Sequence, residues 1–91
     1  MMYAYVTLPD ETLVTHSDIL DMNGVKSVKV HFERPTDKGL GFDMATCYLP
    51  SGQWIEQVGY NVQEMRAFDS FVKNNAHLLF RYAECGGVNI A

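Results

Sequence analysis

Long hydrophobic runs, cysteine motifs and clustered positive charge are all missing from this sequence. No apolar stretch approaches the roughly 18 residues that a membrane-spanning helix needs, so a membrane protein of helical type is not expected. Met1-Met2-Tyr3-Ala4-Tyr5 shows no basic region followed by an apolar run, the mark of a secretory leader. There are 2 cysteines, Cys47 and Cys85, and neither belongs to a C-x-x-C pair. A disulfide framework is not indicated, and reduced thiols in the cytoplasm are the expectation. The acids outnumber the bases 11 to 7, for a formal charge of −4. Phosphate-backbone binding draws its affinity from Lys and Arg releasing counterions, so direct nucleic-acid binding is not expected. Lys26, Lys29, Arg34 and Lys38 form the one loose basic group, and it reads as the solvated face of a hairpin.

The signatures of chemistry are sparse as well. His16, His31 and His77 fall in three separate segments with no partner at ligand spacing, so no metal site is expected. Gly39-Leu40-Gly41 lacks the lysine and following helix of a phosphate loop. Asp37 and Asp43 lack the dense oxygen spacing of a calcium loop. The carboxylate pairs Asp10-Glu11 and Asp18/Asp21 sit in turn-like, wet sequence, where nothing moves a pKa far enough for acid–base work. Cys85 stands beside Gly86-Gly87, which reads as a helix stop rather than an oxyanion site. No catalytic residue and no cofactor is expected.

What is present is a globular composition, 47% hydrophobic and 12% aromatic, in 91 residues that form a single domain, 1–91. Residues 60–86 carry the strongest pattern. Asn61 is a helix N-cap and Glu64 stands at capping-box distance, with Tyr60 and Met65 placed as a hydrophobic staple. Val62, Met65, Phe68, Phe71 and Val72 then make one apolar stripe. Asn74-Asn75 interrupts it, so residues 76–85 read as a second helix or a bent continuation, with a strand over 77–82 as the rival.

Before the helix the sequence predicts four strands, 3–8, 13–16, 25–34 and 42–49, arranged as two hairpins. Strict alternation puts Val28, Val30 and Phe32 on the buried face of the third. The same logic turns Ala4, Val6 and Leu8 inward on the first and Tyr3 and Tyr5 outward, and adds Met44 and Leu79 to the core. Residues 17–22 read as one helical turn or irregular chain, and 53–58 as a short helical turn. Residues 35–41 read as a loop, and 88–91 as a disordered tail. The expectation is therefore an α+β domain: a small four-stranded antiparallel sheet with a C-terminal helical segment packed on one face.

The expectation is a non-enzymatic accessory or protein-interaction module, binding an unknown protein or itself as a homodimer. Open sheet edges and the aromatic set Tyr48, Trp54 and Tyr60, the candidate binding residues, motivate it. The alternative is a small-ligand or enzymatic site around Tyr48, Trp54, Tyr60 and Cys47.

Overall fold

A computed structural model describes residues 1–36 and 41–87; the outer part of the expected 35–41 loop and the whole expected tail lie outside the described residues. The strands are β1 (Met2–Thr7), β2 (Leu13–Ser17), β3 (Leu20–Met22), β4 (Val25–Pro35), β5 (Phe42–Leu49) and β6 (Gln53–Val58), followed by helix α1 (Val62–Cys85). The sheet runs β1-β2-β4-β5-β6, with β3 paired to β4 beside β2, and the pairings are antiparallel. The α+β class stands, but the sheet has six strands rather than four.

Both added strands have a physical cause. Residues 53–58 were expected to be helical because Trp54, Ile55 and Val58 have the spacing of a helix face. In the structure Cys47 faces Trp54 and Thr46 faces Glu56, so Ile55 is the extra residue of a β-bulge. That insertion breaks the alternation of a strand and mimics helical spacing. Residues 17–22, read as a helical turn or irregular chain, instead pass into a strand: Ser17 Oγ accepts from the Lys29 amide at 2.9 Å where the chain goes from β2 to β3. The turn that follows is a two-residue loop with positive φ at Asn23 (55°) and Gly24 (83°), as a tight hairpin requires.

The first strand departs from expectation too. Tyr3 lies opposite His16 and Val6 opposite Val14, with a register shift between Ala4 and Val6. Opposed residues share a face, so the bulge puts Tyr3 and Val6 on the side of the buried His16 and Val14. Tyr5 reaches the helix, where its hydroxyl donates to Asn75 Oδ1 at 2.7 Å. Val6 shares the inner face but, on an edge strand, stays 38% exposed. Leu8 and Met44 are only half-buried.

Helix α1 opens as its sequence dictates. The Glu64 amide donates to Asn61 Oδ1 (2.8 Å) and the Asn61 amide to Glu64 Oε1 (3.0 Å), a complete capping box. No break occurs at Asn74-Asn75, because Asn75 is occupied: it accepts from Tyr5 and donates through Nδ2 to the Phe71 carbonyl at 2.9 Å. One helix of 24 residues results, about 36 Å long at 1.5 Å per residue. Gly86 ends it in the left-handed region at φ 80°.

The helix buries Phe68, Val72, Leu79 and Ala83. Against them stand Val14 of β2, Val28, Val30 and Phe32 of β4, and Ala45, Cys47 and Leu49 of β5. Phe71 and Met65 border this core and are partly buried.

Candidate functional site

Strand β6 is an edge of the sheet, and among the described residues no strand pairs with its outer side. Natural edges are usually blunted by Lys, Pro, an inward charge or a bulge; β6 has the bulge at Ile55 and one charged residue, Glu56, but no Lys or Pro. Ile55 is 56% exposed and Val58 50%. Phe42 and Val62, equally open, lie on the flanking elements β5 and α1. Ile55 and Val58 thus stand open along this edge, and Val62 lines the groove beside it.

Between β6 and the first turns of α1 runs a groove of about 550 Å³, lined by Trp54, Gln57, Val62, Met65, Arg66 and Asp69 among others. Trp54 points to the helix side because it pairs with Cys47, and its indole Nε1 donates to Asp69 Oδ1 at 3.2 Å. Asp69 is also held by Lys73 Nζ at 2.8 Å. The Lys73 ammonium, then the Trp54 indole, keep the Asp69 carboxyl below its usual value. Arg66 makes no ion pair among the described residues.

Below the groove the helix start is locked by Arg34. Its guanidinium donates to Asp10 Oδ2 (2.9 Å), Asp43 Oδ2 (2.8 Å) and Glu64 Oε2 (2.6 Å), and stands 4.6 Å over the Tyr60 ring. Asp43, then Glu64, push the guanidinium pKa upward. Arg34 therefore belongs to an acidic cluster, not to the solvated basic strip expected of it. Glu64 serves twice, capping with one oxygen and pairing with the other. Gly59 makes room: at φ +87° it places hydrogen where a Cβ would overlap the Asp43 carboxylate.

The expected aromatic set is distributed, not gathered. Tyr60 is buried, its hydroxyl 3.0 Å from Thr12 Oγ1, and burial above all raises its pKa. Trp54 lines the groove. Tyr48, one residue from Cys47, takes the opposite face and lines a second concavity of about 390 Å³ with Met22, Val25, Ser27, Pro50 and Gln53. Cys47 is sealed in the core, where burial, aided by Asp69, pushes its thiol up to about 12. Cys85 is free and exposed.

The histidines do not converge either. His16 is wholly buried, with Nδ1 2.9 Å from the Ser17 carbonyl and Nε2 unpartnered. His31 lies on the uncovered face, Nδ1 2.7 Å from Thr46 Oγ1 and Nε2 3.3 Å from Glu33 Oε1. Thr46 in turn donates to Glu56 Oε1 at 2.9 Å. The two carboxylates thus sit at opposite nitrogens of one ring, and among the described residues no group of three His, Cys, Asp or Glu side chains suits a metal ion. No helix among the described residues is long and apolar enough to cross a membrane.

The fold defines a small antiparallel α+β domain whose edge strand β6 exposes Ile55 and Val58 and has no outer partner among the described residues. No protein family, curated protein or solved structure matches the chain. Sequence reasoning reached Trp54 as a binding residue, placed Ile55 and Val58 only on a helical turn, and set Val62 in the apolar stripe of the helix, where it is in fact 63% exposed; Phe42 and Arg66 were not singled out. The signal available was the broken alternation of 53–58, which marks a bulged edge strand as well as a helical turn.

Proposed function

We propose that this protein is a protein-interaction module, without catalysis of its own, that docks its partner along the outer side of β6. One observation carries the reading: an unpaired strand edge with Ile55 and Val58 at 56% and 50% exposure. A partner strand laid there would satisfy the free backbone groups and cover the apolar side chains together. Cytoplasmic residence belongs to the same proposal, consistent with two free cysteines. The test is quantitative affinity capture from cells of the source, with Ile55→Lys/Val58→Lys as the control. Specific partners are expected to be lost from the double variant while its circular dichroism is unchanged. An identical partner set for both proteins would overturn the reading.

A second reading, a small-ligand site, is supported by the Tyr48 concavity, whose lining carries no charge. It would suit a neutral molecule stacking on the phenol ring. Ligand-observed NMR with a neutral fragment set tests it: competition lost in Tyr48→Ala supports the site, and no binder rules it out.

A further inference from the structure

Resting on the β6 docking reading, the geometry points to a particular occupant: we propose that the groove between β6 and α1 takes an extended acidic segment of another protein as a further strand, with Arg66 as its counter-charge. The argument begins with the groove's floor. Trp54 and Gln57 pair with Cys47 and Ala45, whose side chains are buried beneath the helix, so both face the helix side of the sheet. A strand added outside β6 projects alternate side chains to that same side. One of them would lie on the apolar surface of Trp54, Val62 and Met65, and the next on that face would come alongside the helix.

Charge then selects the chemistry. The groove lining holds two charged residues, Arg66 and Asp69. Asp69 is answered from within, by Lys73 at 2.8 Å and the Trp54 indole at 3.2 Å. Arg66 has no such answer among the described residues, so a carboxylate is the complementary group, and a planar guanidinium suits it well. The favoured segment therefore alternates an apolar residue with Asp or Glu on one face.

A second copy of this chain fits less well. The acid of β6 is Glu56, which pairs with Thr46 on the opposite face of the sheet. Were β6 to pair with its own copy, the residues brought to the groove would be Trp54 and Gln57, and Arg66 would stay unanswered.

The experiment pans a phage-displayed library of random linear peptides against the folded protein. Recovered sequences are made as fluorescent peptides, their affinities measured by polarisation, and their site mapped by amide shifts in NMR. Enrichment of Asp and Glu is expected, with shifts along β6 and the first turns of α1. Arg66→Glu should weaken these peptides about tenfold or more, and panning against it should return basic sequences. Peptides that map to β6 but show no acidic bias, and that bind Arg66→Gln equally, overturn the acidic occupant and leave edge docking standing. Shifts elsewhere, or no enrichment at all, overturn both. A dimer in sedimentation that Ile55→Lys dissociates would give the groove to a second copy and sink the foreign strand.

Discussion

Phe32 of the central strand and Phe68 of the helix stack with ring centroids 4.4 Å apart and planes 19° from parallel. Trp54 and Phe71 tilt or stand edge-on against the same Phe32 ring, at 5.5 and 6.0 Å. The sheet and helix layers therefore meet at one aromatic node, and the floor of the groove is continuous with it. Phe68→Ala should lower stability by about 3–5 kcal/mol, as large-to-small changes at packed aromatics do. Phe71, only half-buried, should lose less, about 2 kcal/mol. Urea denaturation of both variants checks this; equal losses would show that the node is not centred on Phe68.

Gly59 and Asp43 form a second dependent pair. Gly59→Ala imposes a strained φ and drives the Asp43 carboxylate off Arg34, with an expected cost of about 2–3 kcal/mol. In an Asp43→Ala background the same change should cost clearly less, because the obstacle is gone. A double-mutant cycle measures the difference, and strict additivity would mean that the strain is confined to the backbone.

The Arg34 cluster should show itself in pH. Burial pushes the Asp10 carboxyl up, but hydrogen bonds from Thr12 and Arg34 outweigh it and hold the carboxyl below its ordinary value. A depressed carboxyl contributes stability that is present above its unfolded value and lost as pH falls through the folded one. Arg34→Met leaves Asp10, Asp43 and Glu64 facing one another without a cation, at an expected cost of about 1–3 kcal/mol near neutrality. Acid then neutralises Asp10, so the gap between variant and wild type should narrow below about pH 4. A gap independent of pH would assign the loss to packing on Tyr60 instead.

The two thiols should separate cleanly in labelling. Exposed Cys85 should react with a disulfide reagent in the native protein, while Cys47 should wait for unfolding. Above pH 9.0 the unfolded Cys47 thiol ionises while the folded one stays neutral until about 12. Its contribution is intact below the former value and is lost as pH rises through the latter. Cys47→Ser should therefore flatten part of the alkaline fall in stability. Equal labelling of both thiols in the native state would contradict the burial.

Much of this was legible in the chain itself. The helix start at Asn61 and Glu64 was readable because capping is local chemistry, and Val28, Val30 and Phe32 because an unbroken strand alternates. Where a bulge intervenes, at Tyr5 and Ile55, the period is lost and a strand can read as a turn or show the wrong face. Asn75 was misread as a breaker because its partner, Tyr5, is distant in sequence. The candidate site depends on strand order, which no local pattern encodes. Nothing in the helix pattern sets Arg66 apart from other solvated residues; β6 beside it does.

The helix that roofs the sheet is also the element written last among those described. A chain emerging from the ribosome must carry Val14, Val30 and Phe32 bare until α1 has followed. Synthesis halted before that point would leave the apolar face of the sheet uncovered, as in a client of chaperones and proteases. Folding of the whole sheet is thus expected to wait on the completion of one helix.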